Sequence, residues 1–495
     1  MYPTLEEVKK LAVQGEYRRI PVCRELYADR YTPVEVMRTL RAASRHCFLL
    51  ESAEQNQQWG RYSILGYDPV LELTCKGGTL TIRSGGMEEF TREETRKTSH
   101  PGEAIREILN RYKSPRLPGM PPFTGGMVGY FSYEYLRYPE PVLNFPEPGE
   151  TDFRDVDLML FTRALVFDHY RQKLCLVAGV DTEQVETSYR QAEEEMAQME
   201  ELLKSGARAV FPRIQLLEEL KPVFSREQYK SMVEKARTYI REGDIFQVVL
   251  SNPQTAAAKG SLFDTYRVLR TTNPSPYMFY FSSDDIEIAG ASPETLVNLE
   301  NRTVRTFPLA GTRPRGKTLQ EDQQLERELL ADEKELAEHN MLVDLGRNDL
   351  GKICSLGSVQ VDRYCQIERF SCVMHIGSQV SGRLMEGKDG VDAVDAVLPA
   401  GTLSGAPKIR ACQIIQELEQ RPRGVYGGAV GYLDFAGNMD TCIGIRLVYK
   451  KNGRVCVQSG AGIVADSVPE KEYQECVNKA RAVVEAIRTA EEGLE

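Results

Sequence analysis

AVGYLDFAGNMDTCIGIRLVYKKNGRVCVQSGAGIVA, residues 429–465, reads as three successive strands: AVGYLDF (429–435), CIGIRLVYK (442–450) and VCVQSGAGIVA (455–465). Each is rich in β-branched and aromatic residues and lies a hairpin's distance from the next. Strands so spaced pair with their sequence neighbours, and the ladder is antiparallel. Working outward, IFQVVLS (245–251), YMFYF (277–281), IEIAG (286–290) and VQVDRY (359–364) share this texture. Helical stretches fall at 319–345, 407–420 and 469–490, and a further helix opens with Ser225 as its N-cap. Hairpin-spaced strands with inserted helices predict an α+β fold with a mainly antiparallel sheet.

Toward the N-terminus the strands are shorter: HCFLLES (46–52), GRYSILGY (60–67), LELTC (71–75), LTIRS (80–84) and ALVFDH (164–169). The segment 118–150 is dense in Pro, Gly and Tyr and reads as a long structured loop, since its aromatics need burial. A charged amphipathic helix over 183–205, ended by Gly206, leads into a polar junction near 207–224. That change of texture divides the chain into an N-terminal domain, 1–215, and a second domain, 216–495. A chain of 495 residues exceeds the size at which one simple core stops growing.

Hydrophobic residues make up 41% and charged residues 27%, an ordinary globular mix. The net charge of −10 and the absence of a basic patch argue against a nucleic-acid partner. They also mean that an anionic ligand needs local help from a metal or from placed Arg and Lys. The eleven cysteines are scattered, with no Cys-x-x-Cys, which suits a reducing cytoplasm rather than a zinc knuckle or disulfide framework. The mixed, charged start MYPTLEEVKK lacks the apolar run of a signal peptide, and no stretch approaches the ~20 apolar residues that span a bilayer. The expectation is a cytoplasmic protein with no membrane association.

Acidic helices carry the strongest chemical signal. In DEKELAEHNMLVDLGRND, Glu335 and Glu338 lie at i and i+3 and project from one face. In SVPEKEYQECVNKA, Ser467 and Glu470 have capping-box spacing, and one face then presents Glu472, Glu475 and Lys479. Carboxylates on two helices, without Cys or His at ligand spacing, are hard-oxygen chemistry suited to Mg²⁺. Either pair alone is more often a solvated face. Gly-centred segments would let backbone approach a ligand: Gly460–Ala461–Gly462, Gly401–Thr402 with Gly405 and Lys408, and Gly311–Thr312. Arg446 and Tyr426 could clamp a carboxylate. His375 sits in an apolar strand, where a lone His is more often a core residue than a base. Glu294 in ASPETLV reads equally as a buried general acid or a turn residue.

Taken together, ten segments occur in an order that goes further. FQVVLS (246–251), ASPETLV (291–297), PLAGTRPRG (308–316), ELAEHNMLVDLGRND (335–349), VMHIGS (373–378), LPAGTLSGAPK (398–408), YGGAVGYLDF (426–435), IGIRLVY (443–449), QSGAGIVADS (458–467) and PEKEYQECVNKA (469–480) resemble the chorismate-utilising enzymes. LLES (49–52), WGRYSILG (59–66), GGMVGYFSYE (125–134) and NPSPYMFYF (273–281) extend the resemblance to full length, specifically to the anthranilate synthase component I branch. That family's fold is a β-sandwich-like core of large, mainly antiparallel sheets covered by helices.

The resemblance implies roles. Glu338 and Glu475 would bind Mg²⁺ directly, with Glu335 and Glu472 supporting them, and the metal would hold the ring carboxylate of chorismate. Gly311, Thr312, Gly460, Ala461 and Gly462 would cradle the substrate, Tyr426 and Arg446 would take its enolpyruvyl carboxylate, and Lys479 would add positive charge. Glu294 matches the general acid, His375 the residue of the pyruvate-releasing step, and Thr402 a position in the catalytic pocket. Sister enzymes that add water have a Lys base where Gln247 stands, which favours ammonia as the nucleophile here. Folate-branch enzymes mostly carry Lys where Ala310 stands. Ser52, Pro276, Tyr277 and Met278 match an allosteric tryptophan pocket. No Gly-x-Cys-x-Gly elbow with a downstream His-x-Glu occurs, so a separate glutamine amidotransferase subunit would supply ammonia. The rivals are aminodeoxychorismate synthase component I and a tryptophan-sensing module without catalysis.

Overall fold

The structure, a computed structural model, describes residues 1–52, 60–85, 90–143, 145, 153–370 and 373–494. Trp59, Cys372 and residues 144 and 146–150 of the Pro-rich segment lie outside this set. The described residues form two large sheets of thirteen and twelve strands, joined through antiparallel pairings. In the first sheet, Arg19–Tyr27, Lys173–Asp181, Ala164–Asp168, Tyr62–Tyr67 and Cys47–Glu51 lie side by side. The sheet continues through Tyr277–Ser282, Ile286–Ser292, Leu447–Lys451, Arg454–Ile463 and Gln247–Lys259. The second sheet likewise runs from Leu309–Pro314 and Val373–Arg383 through Met439–Ile443 and Ala429–Asp434 to Gly126–Phe131 and Val156–Phe161. Strands from before and after residue 215 therefore share both sheets.

Successive side chains of a strand point to opposite faces, so a strand covered on both sides reads as a continuous apolar run. Tyr277–Ser282 shows this division: Phe279 and Phe281 enter the layer between the sheets with Phe48, Phe161 and Val430, while Met278 and Tyr280 face the covering helices. Helices Pro33–Ala43, Val185–Ser205, Phe263–Thr272 and Pro469–Glu492 contribute to the outer core of the first sheet. Gly102–Arg111, Glu333–Gly351 and Gly390–Val397 cover the second. The ten described cysteines are free thiols. No described helix is long and apolar enough to cross a membrane.

Three local expectations change. The helical stretch 319–345 is two helices, Leu319–Leu330 and Glu333–Gly351, because Asp332 caps the second by accepting from the amides of Lys334 and Glu335. The helix Pro469–Glu492 is capped by Val468 without a side-chain bond; the Ser467 hydroxyl accepts from the Val464 amide instead of closing a box with Glu470. The segment 118–150 contains the buried strand Gly126–Phe131. Its glycines are a matter of close approach: a Cβ on Gly129 would meet the Asp157 carbonyl at 2.0 Å.

Candidate active site

Two of the points at which the chain crosses between the sheets are neighbours, and each of these carries a charged side chain. Residues 293–294 link Ile286–Ser292 of the first sheet to Thr295–Glu300 of the second, and residues 444–446 link Met439–Ile443 back to Leu447–Lys451. The crossings are tied together. The Ile443 amide donates to the Glu294 carbonyl at 3.0 Å, the Ser292 hydroxyl to the Ile443 carbonyl at 2.7 Å, and the Ala291 amide to the Arg446 carbonyl at 3.0 Å. Arg446 adopts the left-handed φ of 49° that this corner requires. Glu294 and Arg446 are thus fixed by backbone on the seam of the sandwich.

Glu294 is only 8% exposed. Burial pushes its carboxyl up to about 7, against the opposing pull of the Thr402 hydroxyl and the charges of Arg446 and Lys479. Thr402 Oγ1 is buried, with no partner at normal hydrogen-bond length. Burial also lowers the Arg446 guanidinium, and the Glu294 charge restores part of that loss.

His375, on the strand Val373–Arg383, places Nδ1 2.8 Å from the Gly311 carbonyl and 3.1 Å from the Thr312 hydroxyl. A carbonyl can only accept, so Nδ1 carries the proton and Nε2 is the lone-pair nitrogen. Burial lowers the ring's affinity for a second proton; the Gly311 bond opposes this, and the charges of Arg446 and Lys479 add to it. His375 is therefore a neutral imidazole, and it feels the same two cations as Glu294. Gly311 has a left-handed φ of 62°, and a Cβ there would come within 2.9 Å of Leu329 and 3.2 Å of the Glu335 carboxylate.

Across the site, Gln247 opens the strand Gln247–Lys259 and is 4% exposed. Its Nε2 donates to Glu338 at 3.3 Å, while its Oε1 is buried without a partner. The strand pairs with the glycine segment in the register Val249↔Gly462, Leu250↔Ala461 and Ser251↔Gly460. A Cβ on Gly462 would meet the Gln247 amide at 2.6 Å, and one on Gly460 would meet the Tyr426 hydroxyl at 2.8 Å. The glycines let those two side chains cross the strand. Ala461 points into the core, so only its backbone faces the site. Lys408 is spent elsewhere, on Asp349 at 2.6 Å and the Val397 carbonyl at 2.9 Å.

The four helical glutamates lie as two pairs. Burial raises Glu335, and the neighbouring Glu338 raises it further. Burial also raises Glu472, with Ser467 opposing and Glu475 adding. Lys334, on the helix of Glu335, acts on Glu472 electrostatically. Lys479 pairs with Glu475 at 2.7 Å and Arg313 with Glu335 at 3.4 Å. In donor type and charge these oxygens suit a hard divalent cation. Among the described residues, no group of three or more His, Cys, Asp or Glu is arranged to hold a metal ion.

Arg423 and Glu419 escaped the sequence reading. Arg423, 1% exposed, donates to both Glu419 oxygens and to the Leu403 and Val249 carbonyls, each of these at 2.6 to 2.9 Å. Its guanidinium lies 5.7 Å from the centre of the Tyr426 ring, and Glu419 also accepts from the Ser251 amide at 2.8 Å. One ion pair thus ties the Thr402 loop, the Gln247 strand and Tyr426 together. The i, i+4 spacing of Glu419 and Arg423 was the available signal.

The four residues of the expected effector site line one cavity of about 530 Å³, with Glu51, Asn298, Arg305, Tyr432 and Asp440 among its other walls. The Ser52 hydroxyl is buried there without a partner. Glu51 is engaged by Ser63, Tyr266 and Arg270.

A family model for chorismate binding enzymes matches residues 45–485. Anthranilate synthase component 1 of Acetivibrio thermocellus is 45% identical, with 99% of each chain covered, and that of Pseudomonas aeruginosa is 43% identical over the same shares. The crystal structure of anthranilate synthase component I from Streptococcus pneumoniae matches with a TM-score of 0.75 at 39% identity, covering 87% of this chain and 93% of that one. The menaquinone-specific isochorismate synthase of Escherichia coli, at 20% identity and a TM-score of 0.69, shares the fold. With nearly nine-tenths of its length inside the family match and end-to-end likeness to these relatives, the chain belongs to the chorismate binding enzymes.

Proposed function

We propose that this chain converts chorismate and ammonia to anthranilate, pyruvate and water in the cytoplasm, as component I of an anthranilate synthase. The observation that carries the reading is the shared surroundings of Glu294 and His375. An acid raised to about 7 and a neutral imidazole answer to the same two cations, Arg446 and Lys479. Opposite shifts within one site, which favour the protonated acid and the neutral imidazole, suit divided acid and base work.

In the first half-reaction, ammonia forms a bond to C2 of the ring, and the double bonds shift as the C4 hydroxyl leaves. Hydroxide is a poor leaving group, so Glu294 delivers its proton to that oxygen and water departs. In the second, Nε2 of His375 takes the C2 proton. The electron pair aromatises the ring, and the C3–oxygen bond breaks to release the enolate of pyruvate, which takes up a proton at its methylene carbon. Arg446 and the Tyr426 hydroxyl take the enolpyruvyl carboxylate, and backbone at Gly460–Gly462 and Thr312 lines the ring's side. Gln247 has no basic nitrogen with which to activate water, which supports ammonia as the nucleophile. Mg²⁺, held by Glu338 and Glu475 with Glu335 and Glu472 beside them, would neutralise the ring carboxylate. Ammonia would come from a separate glutamine amidotransferase subunit, and tryptophan would occupy the 530 Å³ cavity as feedback inhibitor.

The test is to incubate the purified chain with chorismate, Mg²⁺ and an ammonium salt and to follow anthranilate fluorescence. Anthranilate with equimolar pyruvate supports the reading. Release of 4-amino-4-deoxychorismate would assign the chain to the folate branch instead, and tryptophan binding without turnover would make it a sensor.

A further inference from the structure

The large cavity and the acid are separated by a single hydrogen bond. The Tyr277 hydroxyl lies 2.9 Å from Asp440 and 2.8 Å from the Thr295 hydroxyl. Tyr277 and Asp440 line the large cavity; Thr295 directly follows Glu294. Tyr277 has one proton, and the Asp440 carboxylate is its stronger acceptor, so Thr295 must donate to the tyrosine oxygen. The result is a directed chain, Thr295 to Tyr277 to Asp440, that crosses from the second sheet to the first and back. It braces the crossing on which Glu294 sits.

The packing beneath this chain leaves room for movement. A small cavity of about 60 Å³, lined by Pro276, Pro293, Thr295, Phe307 and Ser378 among others, lies beside the bond. Another, of about 50 Å³, has Glu294, Thr295, Phe307 and Thr402 in its walls. Phe307 lines both of these and the 530 Å³ cavity as well. Close-packed interiors pass displacement on rather than absorbing it, and these voids mark where the Glu294 turn can yield.

We infer that Thr295 is a positioning residue: its bond to Tyr277 sets the turn that presents Glu294 and carries occupancy of the large cavity to the reaction centre. This rests on the proposal that tryptophan binds that cavity and that Glu294 is the acid. Thr295 itself is absent from the cavity wall, so binding and coupling are separable.

The experiment measures tryptophan binding by calorimetry, and inhibition of ammonia-dependent anthranilate formation, in wild type, Thr295→Val, Thr295→Ser, Tyr277→Phe and the Thr295→Val/Tyr277→Phe double variant. Thr295→Val should bind tryptophan as wild type does, yet need about tenfold more for half-inhibition. Its kcat should fall with the KM for chorismate unchanged. Thr295→Ser keeps the hydroxyl and should restore both properties, which guards against a mere folding defect. The double variant should be no worse than the worse single one, since both remove the same bond. Thr295→Val inhibited at wild-type concentrations, or single effects that add in full, would overturn the link while leaving the effector site standing. A wild-type chain that binds no tryptophan would overturn the effector reading itself, and the link with it.

Discussion

Glu294 carries its proton near neutrality because its carboxylate would be stranded on the seam between two sheets. The folded value of about 7 lies above the ordinary 4.5, so the native state holds a proton that the unfolded chain has released across that interval. Stability therefore falls as pH rises from about 4.5 to about 7 and levels off above, a loss of roughly 3 kcal/mol. Glu294→Gln should remove that segment of the stability–pH curve, measured by denaturant melts between pH 5 and 8. With Glu294 as the proposed acid, amination should decline as pH rises through about 7, once rates are corrected for free ammonia. Arg423 is the opposite case, a buried charge fully matched. Arg423→Met should cost about 3 to 5 kcal/mol by leaving Glu419 unpaired, and Arg423→Met with Glu419→Leu should cost markedly less. Equal losses in the two proteins would contradict the pairing.

Among the elements, the helix Glu333–Gly351 has the largest consequences for its length. It packs on Leu309–Pro314 and Val373–Arg383, the strands that carry Gly311 and His375, and it presents Glu335 and Glu338. Asp332→Ala should cost about 1 kcal/mol by removing its cap, and the KM for chorismate should rise with it, because the first turn holds Glu335. The existence of this helix and its acidic face were legible from i, i+3 spacing alone. Its start was not, because Asp332 looks like one more charge in an acidic run until its side chain is seen on two amides. Gly126–Phe131 was misread for a related reason: glycines that mark loops in isolation here admit a neighbouring backbone. The helical glutamates, Gln247, Glu294 and His375 could be singled out from local sequence and family likeness. Arg423 was not, since its i, i+4 spacing from Glu419 reads the same whether the guanidinium is buried or exposed.

Over the whole molecule, each sheet joins a block of strands from before residue 215 to a block from after it, and the site occupies two of the crossings between the sheets. Neither 1–215 nor 216–495 holds a complete sheet, so the described architecture should melt in one calorimetric transition, with the calorimetric enthalpy equal to the van't Hoff value. Two separated transitions would show that the segments fold independently. A net charge of −10 and a dianionic substrate also need reconciling. Chelation with EDTA should abolish turnover, and Mg²⁺ should restore it without change in the far-ultraviolet circular dichroism.

The proposed chemistry depends on a division of labour between Glu294 and His375, and the two half-reactions can be run apart. Glu294→Gln and His375→Met are each given chorismate with ammonium and, separately, the isolated aminodeoxyisochorismate. Reciprocal failure is expected. Glu294→Gln converts only the intermediate, releasing anthranilate and pyruvate from it, while His375→Met aminates chorismate and accumulates the intermediate. Wild-type anthranilate release by His375→Met, or unimpaired amination by Glu294→Gln, would contradict it.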